Sequence, residues 1–140
     1  MQIATIDFET FFGDDFTLSK MTTEAYLRDP RFRAHGAAIK WAPNSAARWY
    51  THDELVQGFP CVDWSQTAVL HHHAAFDAAI LNWHYGVRPR FIFDTLSMAR
   101  QVLGNHISVS LDSVRKHFGM HAKATPYHLF RNRQWHDMDA

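Results

Sequence analysis

The feature that most constrains this chain is its opening run, Gln2-Ile3-Ala4-Thr5-Ile6-Asp7-Phe8, with Glu9 directly behind it. The run is short, apolar and rich in β-branched residues, which predicts a buried strand. Strand side chains alternate between faces, so Asp7 and Glu9 share one face while Ile6 and Phe8 take the other, toward a core. Two carboxylates side by side at the end of a buried strand repel each other. Either water solvates both, or a hard divalent cation such as Mg²⁺, which prefers oxygen ligands, relieves the repulsion.

The rest of the pattern alternates strands with helices. Thr22–Arg28 predicts a short helix capped at Thr22 or Thr23 and stopped by Pro30. Phe32–Ala42 and Ala47–Thr51 predict two strands joined as a hairpin across Pro43-Asn44-Ser45. His52–Gln57 suits a helical turn, and Thr67–His71 a second buried strand. Phe76, Ala79, Ile80 and Trp83 recur at helical spacing up to Gly86. Arg90–Phe93 predicts a further strand. Asp94 caps a helix running to about Val102, with Leu96, Ala99 and Leu103 on one face. Ser110 caps another, Leu111–Phe118, closed by Gly119. This order implies an α/β layer structure with a mixed sheet. Beyond Ala122 the periodicity dissolves, leaving an irregular tail over residues 122–140.

Composition narrows the class. At 140 residues, 46% hydrophobic and 20% charged, the chain suits one packed domain and argues against disorder. It has no apolar run near the ~20 residues of a membrane span, which predicts no membrane association. The N-terminus lacks the features of a signal peptide. A lone cysteine, Cys61, rules out an internal disulfide framework and a cysteine-only zinc site, so a reducing cytoplasm is expected.

Acids and bases balance at 14 each, but residues 1–30 hold six acids against Lys20 and Arg28, a net of −4. That asymmetry suits a metal site beside a phosphate-binding surface, although ordinary surface charge is the commoner cause of such a pattern. Asp77 falls in the first turn of its helix, where the helix dipole welcomes a carboxylate, and Asp94 sits at an N-cap. Both have a structural reading first and a functional one second. His71-His72-His73 invites a zinc reading. Consecutive strand residues point to opposite faces, so the three cannot chelate one ion from a regular strand.

Four stretches, in order, together resemble one family. Ile6-Asp7-Phe8-Glu9-Thr10 is similar to a D-x-E motif, and His72-His73-Ala74-Ala75-Phe76-Asp77 to an N-x-x-x-F/Y-D motif with His73 near the usual Asn. Phe93-Asp94-Thr95-Leu96-Ser97-Met98-Ala99-Arg100 is similar to D-T-L-x-x-A-R, and Ser110-Leu111-Asp112-Ser113-Val114 with Phe118-Gly119 to S-L-x-x-L…G. The set, over residues 3–121, resembles the DEDD (DnaQ-like) superfamily of 3′–5′ exonucleases. With Leu18–Phe32 it looks most like phage-type domains that accompany family A DNA polymerases.

The resemblance implies a ribonuclease-H-like α/β fold over residues 1–121. The expected sheet is mixed and five-stranded, flanked by helices, with its first three strands antiparallel and Asp7 and Glu9 on the central one. It implies that Asp7, Glu9 and Asp77 bind Mg²⁺ or Mn²⁺ and catalyse phosphodiester hydrolysis, two metals about 3.5–4 Å apart clamping the phosphate. It implies a single-stranded DNA 3′ end as substrate, in proofreading or DNA processing, and a DNA polymerase as partner. Thr10, Phe11, Phe12, His73, Phe76 and Asp94 are the implied nucleic-acid contacts, with Phe11, Phe12 and Phe76 as stacking surfaces. Arg88, Arg90, Arg100, Arg115 and Lys116 are phosphate-contact candidates.

The third motif of the family, Y-x-x-x-D or H-x-x-x-x-D, has no match. Four residues after Tyr127 stands Arg131, five after His128 stands Arg133, five after His121 stands Pro126, and His136 precedes Asp137 and Asp139 by one and three. A truncated domain that binds metal and 3′ ends with weak or no catalysis is the alternative reading. Substitution by His136, Asp137 or Asp139, or a fourth acid from another chain, is also open.

Overall fold

The computed structural model describes residues 1–121 and 131–134. The tail expected over 122–140 therefore falls largely outside the described residues, as do Tyr127, His128, His136, Asp137 and Asp139.

The elements run β1 (Gln2–Thr10), α1 (Thr23–Arg28), β2 (Ala34–Lys40), β3 (Arg48–Thr51), α2 (His52–Gly58), a 3₁₀ turn (Phe59–Cys61), β4 (Thr67–His71), α3 (Ala74–Tyr85), β5 (Phe91–Asp94), α4 (Thr95–Leu103) and α5 (Leu111–His117). They form one five-stranded sheet in the order β3-β2-β1-β4-β5. β1 is central, β2 and β3 join it as an antiparallel meander, and β4 and β5 run parallel. The expected mixed sheet flanked by helices is the one observed.

The core gathers on one face of that sheet. Ala4, Ile6 and Phe8 alternate inward along β1 and meet Ala37 and Ile39 of β2 and Val69 of β4. Tyr26 and Leu27 of α1, Leu55 of α2, Phe59, and Ile80 and Leu81 of α3 cover them. Local chemistry sets the helix starts. Thr22 caps α1 through the Ala25 N–H, Thr51 and Glu54 make a reciprocal capping box on α2, and Ser110 caps α5. Gly86 ends α3 in the left-handed conformation, φ 66°.

Most boundaries shift by a residue or two from the sequence pattern, and two of the shifts have a clear cause. β2 starts at Ala34 rather than Phe32, because the Phe32 N–H closes a turn onto the Asp29 carbonyl at 2.9 Å. β1 extends to Thr10, because β2 continues alongside it as far as Thr10↔Ala34, with a bulge between Glu9 and Thr10. Asp7 and Glu9 thus both sit within a paired strand. Gly36 is required there: a Cβ would stand 2.2 Å from the Tyr50 carbonyl oxygen of β3. Among the described residues no helix is long and apolar enough to cross a membrane.

Candidate active site

The site begins where β1 and β4 part. Their parallel ladder ends at Thr5↔Leu70, so the β1 edge beyond it has lost its strand partner. Two side chains replace the missing ladder. His71 Nδ1 meets the Ile6 carbonyl at 2.8 Å, and the Asp77 Oδ1 accepts the Phe8 N–H at 3.0 Å. Crevices at the carboxyl ends of parallel strands, where neighbouring strands diverge, are the standard ligand position in open α/β sheets.

The carbonyl partner makes Nδ1 of His71 the protonated nitrogen, and burial holds the ring's pKa below its usual value. Its Nε2 is buried and has no hydrogen-bond partner among the described residues. Asp77 is 4% exposed. Burial above all pushes its carboxyl up to about 7; the Phe8 N–H pulls it down, and the charges of Asp7 and Glu9 push it further up. Asp7 and Glu9 themselves are exposed while Ile6 and Phe8 are buried, the alternation expected of the strand. Asp77 thus reaches the stretch of β1 that carries Asp7 and Glu9, near enough for both charges to act on it.

The three are oxygen donors, a set that suits a hard cation. Neutralising the ionised form of Asp77 would remove the penalty its burial imposes. The residues fit such an ion in chemistry. They do not enclose one alone, since among the described residues no group of three His, Cys, Asp or Glu is arranged to hold a metal.

Beside Glu9 lies a cleft of about 330 Å³, whose walls include Glu9, Thr10, Phe12, Phe76, Leu18 and Arg131. The bulge after Glu9 re-aims this end of the strand. Thr10 is oriented from behind. The Tyr26 hydroxyl donates to the Phe11 carbonyl, so the Thr10 hydroxyl is the donor in its 2.8 Å bond to the Tyr26 oxygen. Phe12 and Phe76 face the cleft, whereas Phe11 packs toward the core and stacks on Phe16. Phe76 does both, lining the cleft and packing against the core.

His73 and Asp94 do not line this cleft. His73 adopts φ 72°, a left-handed conformation that favours Asn over most residues. It gives α3 no side-chain cap. Asp94 caps α3 in its place: its Oδ1 accepts the His73 and Ala74 N–H groups at 3.0 and 3.2 Å and also the Leu96 N–H of α4, while its Oδ2 takes the Ser97 hydroxyl. Partial burial opposes its charge, but these four donors together hold its carboxyl below the usual range. One carboxylate thus starts two helices, which is the structural reading of Asp94.

The three adjacent histidines do three different things. His71 supports β1, His72 bridges the Thr95 hydroxyl and the Val109 carbonyl, and His73 turns the chain. None of the five basic candidates lines the cleft; Arg115 and Lys116 both pair with Asp112 on α5.

Sequence reasoning missed Tyr26 and Arg131. Arg131 and Asn132 reach Asp14 in the loop after β1, at 3.4 and 3.1 Å, and the Asn132 N–H bonds the Phe12 carbonyl at 2.9 Å. No local pattern marks a contact across more than a hundred residues; the clustered acids of the first thirty were the only hint.

No protein-family model matches the chain, and no curated protein is similar enough to count as a relative. Solved structures are similar. NrnC from Brucella melitensis superposes with a TM-score of 0.63 at 15% identity, over 95% of this chain and 58% of that one. Brucella melitensis NrnC with bound Mg²⁺ gives 0.58 at 16%, over 89% and 57%. The same protein bound to pGG gives 0.57 at 18%, over 89% and 56%. The chain spans less than three fifths of the length of these structures, and their names point to neither a phage nor a polymerase. At such identities the likeness concerns architecture: the chain has the ribonuclease-H-like α/β fold that it shares with NrnC.

Proposed function

We propose that residues 1–121 carry the catalytic face of a divalent-metal-dependent 3′–5′ exonuclease of the DEDD (DnaQ-like) type. In this reading Asp7, Glu9 and Asp77 hold Mg²⁺ or Mn²⁺, and the cleft beside Glu9 receives the 3′-terminal nucleotide of a single strand. The observation that carries the reading is the buried Asp77 carboxyl, fixed by the Phe8 N–H between two exposed carboxylates. When bound, a divalent cation neutralises phosphate charge and lowers the pKa of water.

The chain's own groups do the rest. The Phe8 amide aims Asp77, the bulge aims Glu9, and Tyr26 fixes the Thr10 hydroxyl at the cleft wall. Phe12 and Phe76 offer apolar walls to a base. Arg131, paired with Asp14 at 3.4 Å, places a guanidinium at the cleft wall that suits a phosphate. The resemblance implies a fourth acid, so the proposal requires a further ligand from outside the described residues or from another chain. The second reading, a domain that binds metal and 3′ ends but cleaves weakly or not at all, is favoured by the open arrangement of the three carboxylates.

The DNA preference and the polymerase partner implied by the phage-type resemblance find no support in the similar structures. The holding of Mg²⁺ and of pGG by NrnC supports Mg²⁺ and a short nucleotide as first probes. The test is incubation of the protein with 5′-labelled single-stranded RNA and DNA of one sequence, in Mg²⁺ and in Mn²⁺, with Asp7→Ala as control. The expected result is a ladder shortening from the 3′ end and absent in the variant. Metal-dependent binding without digestion would establish the second reading; neither binding nor digestion would refute both.

A further inference from the structure

Away from the carboxylates, α1 and the far end of α3 enclose a second cleft, of about 460 Å³, whose walls include Arg28, Phe32, Arg33, Trp83 and His84. Trp83 is 45% exposed, and the Arg28 guanidinium lies 4.5 Å from the centroid of its ring. The other groups are held rigidly. Arg33 Nη1 donates to the Pro30 and Phe32 carbonyls at 2.8 and 2.6 Å. His84 Nε2 meets the Leu27 carbonyl at 3.0 Å, and its ring stacks on Phe32 at 4.3 Å. The acid in this cleft, Asp29, is already held by two nitrogens of Arg31, at 2.9 and 2.8 Å. Arg28 in turn pairs with Glu24 at 3.0 Å. The walls therefore offer a half-exposed indole and two guanidinium groups, with the acids beside them, Glu24 and Asp29, offset by Arg28 and Arg31. Planar bases stack on such a platform whatever their sequence, and guanidinium forks match phosphate oxygens.

The position links this cleft to the first. Phe76, which lines the first, and Trp83, which lines the second, are seven residues apart on α3. Seven residues are two helical turns, so both side chains lie on one face, separated by about 10 Å at ~1.5 Å per residue. A stacked strand advances about 3.4 Å per nucleotide, so the separation corresponds to about three nucleotides.

From this geometry we infer that the Trp83 cleft is a second subsite for single-stranded nucleic acid, gripping a base and its phosphate about three nucleotides from the 3′ end. The inference rests on the proposed placement of that end beside Glu9. It makes the protein a reader of length: a five-nucleotide strand reaches Trp83 and a dinucleotide does not.

The experiment measures affinity for pGG and for a five-nucleotide strand, as RNA and as DNA, each with a phosphorothioate at its last linkage to prevent turnover. Wild type should prefer the longer strand. Trp83→Ala should lower the ratio of long to short affinity about tenfold, the scale of one lost stacking contact. Trp83→Phe should recover most of it, and Arg33→Ala should lower the ratio while reducing its salt dependence. The indole is half exposed, and a thermal melt of each variant confirms that it folds. The RNA and DNA arms show which strand the subsite takes. A ratio unchanged in Trp83→Ala overturns the subsite and leaves the 3′-end reading standing; a wild type that binds neither length overturns both.

Discussion

Asp77→Asn isolates the electrostatic penalty at the centre of the site. Burial raises this carboxyl from 3.8 in the unfolded chain to about 7 in the native protein. The native state thus holds a proton there more tightly than the unfolded chain does. The resulting stability is complete below pH ~4 and is lost as the pH rises through about 7. A difference of about three pH units at ~1.4 kcal/mol each amounts to about 4 kcal/mol lost from end to end. Asparagine cannot ionise, yet its side-chain oxygen can still accept the Phe8 N–H. Urea unfolding of both proteins in EDTA, at steps from pH 4.5 to 7.5, reads the effect. Buried His35 and His71 have lowered pKa values that bias stability the other way, toward higher pH, but they are common to both proteins and cancel in the difference. The variant should gain on wild type by about 3 kcal/mol across the window. Millimolar Mg²⁺ at pH 7.5 should then stabilise wild type more than the variant, since the cation takes over the neutralising role of the proton. If the two proteins lose stability in parallel from pH 4.5 to 7.5, Asp77 is not paying a burial cost and the reasoning fails.

Asp94→Ala removes the acceptor for backbone donors at the start of both α3 and α4. It should cost about 2 kcal/mol in chemical denaturation, and hydrogen exchange should quicken first at His73 and Ala74. Tyr26→Phe deletes the hydroxyl between Thr10 and the Phe11 carbonyl. The loss should be about 1 kcal/mol of stability, with pGG binding weakened because the Thr10 hydroxyl is no longer held at the cleft wall.

What was legible in the sequence was what short-range physics decides. The alternation along β1, the strand Thr67–His71, the Gly86 stop and the caps at Thr22, Asp94 and Ser110 follow from periodicity and from the few side chains that satisfy helix ends. Strand alternation does not govern the three histidines, because β4 ends at His71, while His72 and His73 lie in the turn before α3. What stayed hidden depends on tertiary approach. The bond from Phe8 to Asp77 joins residues 69 apart, and no local pattern says that a carboxylate in a first helical turn will also serve a strand. The bulge at Glu9, the Tyr26 hydroxyl behind Thr10 and the arrival of Arg131 at the cleft are equally non-local. Asp94 was legible as a cap for α4 but not as the cap for α3, because the left-handed turn at His73 that creates the need is a property of the folded loop.

The way β1 is held at its end also limits how the site can be completed. Past Thr5 the strand has lost β4 on one edge but keeps β2 on the other, through Thr10↔Ala34. The free edge is occupied at Ile6 by His71 and at Phe8 by Asp77. The inward face is filled by Ile6 and Phe8, both at most 5% exposed. Three of the four directions around the carboxylates are thus taken by pairing, capping and core packing. A further ligand, whether from the rest of this chain or from another, has to approach over the outward face that bears Asp7 and Glu9. Any such ligand would add charge or lone pairs on the exposed side and leave Asp77 buried. The pH dependence at Asp77 is therefore a property of this domain itself, measurable before the completing residue is known.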